Sequence, residues 1–135
     1  MRVVVDTNVF ISAAIKDAAW PALIVRWPGQ FDGLLKTPAT EQEVFEVLRR
    51  PRLAEKVAPL FADRMRRIFA SAELVTITEA VAACRDPKDA RFLELAVNGH
   101  AGFIVSGDDD LLVMDVFRGI PVIAPAVFGR AQVLR

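Results

Sequence analysis

Two short apolar runs, Val3-Val4-Val5 and Phe103-Ile104-Val105, each stop at a cluster that carries an aspartate, Asp6-Thr7-Asn8 and Ser106-Gly107-Asp108. β-branched and aromatic side chains favour extended backbone, whereas Asp, Asn, Ser and Gly favour turns and helix caps. Strands that read as unbroken apolar runs are covered on both faces, and such strands belong to parallel sheets flanked by helices. The spacing of Val9, Phe10, Ala13 and Ala14 directly after the first run is helical.

The rest of the chain repeats this alternation. Trp20-Pro21 predicts a short second helix with Leu23, Ile24 and Trp27 on one face. Phe31 to Lys36 reads as a turn running into a second strand. Thr37-Pro38 predicts the cap and first position of a helix that buries Val44, Val47 and Leu48 and ends at Pro51. Residues 52–72 are helical by pattern, and Leu74 to Ile77 reads as a third strand. Asp86-Pro87-Lys88-Asp89 opens a further helix, with Asp86 as cap, Pro87 first and Asp89 at the acid position of a capping box; Asn98-Gly99 ends it. Pro121-Val122-Ile123 is a brief fifth strand, placed at an edge by its proline. With no internal repeat or linker, residues 1–135 are expected to form one domain. Its fold class is α/β: a three-layer α/β/α sandwich with a central parallel sheet of about five strands.

Composition narrows the chemistry. Hydrophobic residues at 53% and charged residues at 25% exclude disorder. Lys and Arg balance Asp and Glu at 17 each, so nucleic-acid contact would have to be local rather than a bulk effect. One cysteine, Cys84, and one histidine, His100, exclude a disulfide framework, a Cys-rich zinc site and a His-pair metal motif. No apolar run approaches the roughly 18 residues of a membrane span, and the N-terminal run is too short for a signal peptide, so a cytoplasmic protein without membrane contact is expected. Metal chemistry in such a chain must rely on oxygen ligands.

The acids are placed to supply them. In an open parallel sheet the carboxyl ends of the strands share one edge, and ligands bind in the crevice there. Asp6 and Asp108 each follow a strand, so they would converge at that edge. Helices run antiparallel to the strands, which brings the N-terminal turns carrying Asp89 and Glu43 to the same edge. Four carboxylates at one spot repel each other unless protons or cations intervene. A hard divalent cation such as Mg²⁺ or Mn²⁺ suits an all-oxygen shell, and it can activate water and stabilise charge on a phosphodiester. Taken singly, Asp6 reads equally as a helix cap, Asp89 as a capping acid, Glu43 as a solvated helix residue and Asp109 as part of a turn. Capping does not explain why the four acids point to one edge.

These segments resemble the PIN-domain ribonucleases, including the VapC-type toxins. The residues that carry the resemblance are Val4-Val5-Asp6-Thr7-Asn8-Val9-Phe10, Glu43-Val44-Phe45-Glu46-Val47-Leu48, Asp86-Pro87-Lys88-Asp89 through Phe92-Leu93-Glu94-Leu95-Ala96, and Val105-Ser106-Gly107-Asp108-Asp109-Asp110-Leu111. They stand in the family's order over nearly the whole chain. The resemblance implies a ribonuclease with Mg²⁺ or Mn²⁺ held by Asp6, Glu43, Asp89 and Asp108, and Asp110 resembles an auxiliary acid of some members. Asn8 and Ser106 resemble polar groups that orient Asp6; Thr7 either does the same or caps a helix. The resemblance further implies an RNA substrate, products with 5′-phosphate and 3′-hydroxyl ends, a small antitoxin encoded alongside, and a homodimer. The stretch after Asp86-Pro87 is poorer in acids than the family's usual pattern.

Other readings compete. A receiver domain needs a phosphoacceptor Asp at the end of the middle strand and a Lys after the last, but the chain has Thr76-Ile77-Thr78-Glu79 and Ile123-Ala124-Pro125 there. A phosphatase with paired aspartates on the first loop meets Asn8 where its general acid should stand. A catalytically inactive RNA- or protein-binding relative remains the alternative. Arg49, Arg50, Arg52, Lys56, Arg64, Arg66 and Arg67 form the densest basic stretch, and either contact RNA phosphates or form a solvated helical face. Trp20 and Trp27 read as core or as a partner groove, Cys84 as an unreactive thiol and His100 as part of a loop.

Overall fold

The protein is described here by a computed structural model covering residues 2–16, 33–56, 59–81, 86–114, 116–125 and 127. The chain runs β1 (Val3–Val5), α1 (Thr7–Lys16), β2 (Leu35–Lys36), α2 (Pro38–Leu48), α3 (Pro51–Ala54), α4 (Pro59–Ser71), β3 (Glu73–Leu74), α5 (Pro87–Asn98), β4 (Phe103–Val105), α6 (Asp109–Leu112), β5 (Val116–Phe117) and β6 (Ile120–Ile123). The helix expected at Trp20-Pro21, the turn at Phe31, both tryptophans and Cys84 lie outside the described residues.

The main sheet has the order β1-β4-β6-β5, and β2 pairs with β3 beside it. β1 and β4 pair in parallel, Val3 opposite Phe103 and Val5 opposite Val105, and β6 continues the parallel set on the far side of β4. A parallel bridge from Val3 to Leu34, with the Val3 amide donating to the Gly33 carbonyl, joins the β2–β3 pair to β1. The chain thus forms an α/β fold around a largely parallel sheet.

Period-two alternation in β1 divides the core. Val3 and Val5 pack on one face with Phe10, Val44, Leu48, Met65 and Phe69. Val4 points to the other face, where it meets Ile104, Val122, Phe92, Leu93 and Leu111. Both faces of the strand are therefore dry, which is why an unbroken valine run suits it. The rings of Phe10 and Phe45 each contact Phe69 at centroid distances of 5.6 and 5.7 Å, which ties α1, α2 and α4 together.

Several local expectations need correction. β3 covers Glu73–Leu74 rather than Leu74 to Ile77. Its partner β2 stops at Lys36 because Thr37 turns the chain into α2, capping it through the Thr40 amide with Pro38 at the first position. The helix expected over residues 52–72 is divided into α3 and α4. β6 is not an edge strand: β4 lies on one side and an unexpected antiparallel β5 on the other. Its first proline is tolerated because pairing with β4 begins one residue later, at Val122. The β5–β6 hairpin turns at Arg118 and Gly119, both with positive φ (49° and 79°), as a two-residue turn matched to strand twist requires.

The end of α5 separates two roles that Asn98-Gly99 seemed to combine. Gly99 has φ of −92°, so it is not there for a left-handed turn. A Cβ on Gly99 would lie 2.6 Å from Leu35 Cδ1 and 3.0 Å from the Leu95 carbonyl oxygen. His100 takes the left-handed position instead (φ 52°), while its amide donates to Val97 O and that of Ala101 to Ala96 O. His100→Gly is therefore expected to raise stability by about 1 kcal/mol. Gly99→Ala should lower it by about 1–3 kcal/mol through overpacking. Urea denaturation of the two variants checks both signs.

Candidate active site

The carboxyl ends of β1 and β4 lie side by side because the strands are parallel and in register. Asp6 follows β1 and is 2% exposed. Its amide donates to the Val105 carbonyl, extending the ladder by one bond. Its Oδ1 accepts the Asn8 amide at 3.1 Å, and its Oδ2 accepts the Ser106 hydroxyl at 2.8 Å. Ser106, fully buried, in turn accepts the Asp108 amide at 3.0 Å. Asp108 begins α6 by accepting the Asp110 amide at 2.8 Å. A chain of hydrogen bonds thus links the ends of β1 and β4 and sets the position of both aspartates.

Asp89 arrives from the first turn of α5. The capping position expected for it is not how it is used. Asp86 caps α5 through the Lys88 amide, and the Asp89 carboxyl, 7% exposed, turns to Asp108. Carboxylate oxygens of Asp89, Asp108 and Asp110 lie within 4.8 Å of one another. Glu43 comes from α2 near enough for its charge to act on Asp6. Its Oε2 is buried and has no hydrogen-bond partner among the described residues. Five acids therefore face one edge, although only the three aspartates at α5 and α6 form the tight group.

Burial is the main reason that Asp6 and Asp89 hold their protons more tightly than free carboxyls. For Asp6, the Ser106 and Asn8 hydrogen bonds oppose that shift, and Asp108 and Glu43 add to it. Asp89 is pushed up to about 6 by burial, then by the Asp108 charge and a hydrogen bond with Asp108, with Asp86 and Asp6 adding to it.

The orienting roles divide unevenly. Ser106 reaches Asp6 with its side chain, but Asn8 does so with its backbone amide while its side chain is exposed. Thr7 neither orients Asp6 nor caps a helix. Thr7 lies one residue inside α1, past the capping position that Asp6 fills, and its buried hydroxyl has no partner among the described residues.

A cleft of about 460 Å³ opens beside the acids, with Thr7 and Asn8 at one end and α2 and α5 along its sides. Glu43 and Glu46 line it from α2, Arg50 from the junction of α2 and α3, and Lys88 and Arg91 from α5. Of the basic stretch singled out in the sequence, only Arg50 lines this cleft. Lys88 and Arg91 were missed, although their three-residue separation puts both on one helical face.

The family model for the PIN domain matches residues 2–110. This chain belongs to the PIN domain family. A solved structure of PAE2754 from Pyrobaculum aerophilum is similar to this PIN domain with a TM-score of 0.69 and 14% identity, covering 100% of this chain and 91% of the other. The VapBC2 structure from Rickettsia felis, bound to a DNA fragment from its promoter, is similar with a TM-score of 0.61 and 9% identity, covering 92% and 98%. No curated protein sequence matches the chain. At these identities the two structures support the fold of the PIN domain, and its site is read from its own residues.

The raised Asp89 gives a pH signature. Between the ordinary carboxyl value, near 3.8, and about 6, the folded chain holds a proton at Asp89 that the unfolded chain has lost. Stability from this group therefore falls as pH rises through that window. With chelator present, Asp89→Asn should gain stability relative to the parent on going from pH 4.5 to pH 7.5. Denaturant titrations at the two pH values check this; a difference independent of pH would contradict the assignment.

Proposed function

We propose that this PIN domain is a metal-dependent endoribonuclease that hydrolyses RNA phosphodiester bonds and serves as the toxin of a type II toxin–antitoxin pair. The observation that carries the reading is the unpartnered, buried Glu43 Oε2 beside a cluster of aspartates, one of them held protonated up to about 6. An isolated buried carboxylate oxygen is costly, and a divalent cation relieves both that cost and the mutual repulsion. The donor set fits, being all carboxylate oxygen, the preference of Mg²⁺ and Mn²⁺.

Asp6, Glu43, Asp89 and Asp108 would hold the cation, with Asp110 beside them. When bound, it lowers the pKa of water and offsets charge growing on the phosphodiester. The chain's own residues supply position. Ser106 and the Asn8 amide hold both oxygens of Asp6 before any ligand arrives. Asp108 is similarly fixed by its own N-terminal hydrogen bonds. Asp89 gives up its proton as the site gains positive charge, so loading should release protons below about pH 6. The recessed placement of Asp6 and Asp89 limits access by solvent.

The toxin role rests on the VapC-type pattern of the four motifs and on the fold shared with the VapBC2 structure. It carries with it a small antitoxin partner, a homodimer and a cytoplasmic location. No helix among the described residues is long and apolar enough to cross a membrane.

Purified protein with Mn²⁺ or Mg²⁺ should cleave RNA, and excess EDTA should abolish cleavage; undiminished cleavage in EDTA would overturn the metal mechanism. Asp6→Asn keeps the shape but loses the charge, and should reduce the rate on the order of 100-fold or more. Saturating Mn²⁺ should also raise the melting temperature. A hundredfold excess over Kd contributes ~2.7 kcal/mol, and each kcal/mol moves a domain of this size by roughly 3–5 °C. Asp89→Asn should show a smaller shift, because one ligand oxygen has lost its charge. Expression in a bacterial host should slow growth, and the Asp6→Asn form should not.

A further inference from the structure

The cleft between α2 and α5 has a charge pattern that the acidic site does not explain. Glu43 and Glu46 fall at successive turns of one face of α2, and Arg50 follows just past its C-terminal end, in extended backbone before α3, so the wall passes from acid beside the acidic edge to base beyond the helix. On α5, Lys88 and Arg91 are three residues apart and face it. All three cations are exposed, and none forms an ion pair with another described residue. Glu46 is engaged by Gln42, whose Nε2 donates to it at 2.9 Å. Glu43 belongs to the acidic edge.

Thr7 also lines this cleft, at the end nearest the acids; it is 3% exposed, and its buried hydroxyl is hydrogen-bonded to nothing among the described residues. A buried hydroxyl without a partner costs free energy that a ligand oxygen would recover. Three cations and a hydroxyl, unpaired among the described residues, suit an oxyanion, and beside the acidic edge the phosphodiester is the oxyanion that fits. The position matters equally, because the cleft adjoins Glu43 and Asn8 at the acidic edge. A nucleic-acid strand whose scissile phosphate lies on the acids would have its neighbouring phosphates in this cleft.

We propose that Arg50, Lys88 and Arg91, with the Thr7 hydroxyl, form a backbone-phosphate subsite that positions the strand flanking the scissile bond. This rests on the nuclease reading of the acids, but its test does not depend on turnover. The basic residues of α3 and α4 take no part. The subsite explains how a chain with no net charge binds a polyanion: its useful cations are gathered on one wall, next to the reaction edge.

The test is binding of a fluorescent single-stranded RNA by anisotropy, in EDTA, across a range of salt. The variant Arg50→Gln/Lys88→Gln/Arg91→Gln should bind at least tenfold more weakly. Its slope of log K against log salt should be shallower by about 2, at roughly 0.7 per phosphate contact on a single strand. A control of equal charge change, Lys56→Gln/Arg64→Gln/Arg67→Gln, should keep the parental slope. Thr7→Val should weaken binding without lowering the melting temperature, and Thr7→Ser should restore it. Equal losses in both triple variants would overturn the proposal in favour of diffuse surface attraction, and an unchanged slope in the first would overturn it outright. Displacement of the RNA by polyglutamate at equal charge concentration would also overturn it, marking the cleft as a site for acidic protein. Cleavage assays on the same proteins separate the two readings. A groove variant that binds normally beside an active parent fails the subsite alone. Slope-dependent binding by a parent that never cleaves fails the nuclease reading alone.

Discussion

The hydrogen bond from Ser106 Oγ to Asp6 Oδ2 ties together residues 100 positions apart in the chain and closes the carboxyl edge of the sheet. It forms because β1 and β4 pair in parallel with Val5 opposite Val105, which places the next residue of each strand at the same height. The same serine accepts the Asp108 amide, so one buried hydroxyl sets the geometry of an acid on each strand. Because Ser106 and Asp6 are almost wholly excluded from solvent, neither can exchange this partner for water without opening the sheet. The position of the acids is therefore as rigid as the pairing of the strands.

That rigidity holds charges where they are unfavourable. Burial and like charge both oppose ionisation of Asp6 and Asp89, and Glu43 and Thr7 each hold a buried oxygen without a partner among the described residues. A local arrangement of this kind persists only when the surrounding structure is strong enough to hold it. Here the support comes from both faces of the sheet. Val3 and Val5 are packed by α1, α2 and α4 on one side, while Val4 and Ile104 are packed by α5 and α6 on the other. The acidic edge carries this electrostatic cost, and the two apolar layers are what make it tolerable.

Charge is likewise organised rather than abundant. Acids and bases are equal in number over the chain, yet the acids gather at the strand edge and three cations line the adjoining cleft. Along one wall the chain passes from Glu43 and Glu46 on a face of α2 to Arg50 just past the helix end. A polyanion in this cleft would meet a short-range pattern instead of a long-range field, so its register would be set together with its attraction.

The fold class and the gathering of acids at one sheet edge were legible in the chain because they depend on local rules. Unbroken apolar runs mark strands covered on both faces, Thr37-Pro38 and Asp86-Pro87 mark helix starts, and strand-terminal aspartates must meet at one edge of a parallel sheet. Other features depend on neighbours that local rules cannot see. β6 carries Pro121 as its second residue yet lies inside the sheet, because its pairing with β4 starts one residue later, at Val122. Gly99 is required by the approach of Leu35 rather than by its own backbone angles, and His100 carries the left-handed turn. Asp89 had the spacing of a capping acid, and only the nearness of α6 turns it toward Asp108. Thr7 has two local roles open to it by sequence and fills neither, since its hydroxyl is enclosed by the fold without a partner. Sequence decided which residues carry carboxyl groups and where the capped helices at Pro38 and Pro87 begin. Tertiary structure decided which of those groups share a volume from which water is excluded, because distance and burial, which set the strength of every electrostatic interaction, arise only when the elements pack.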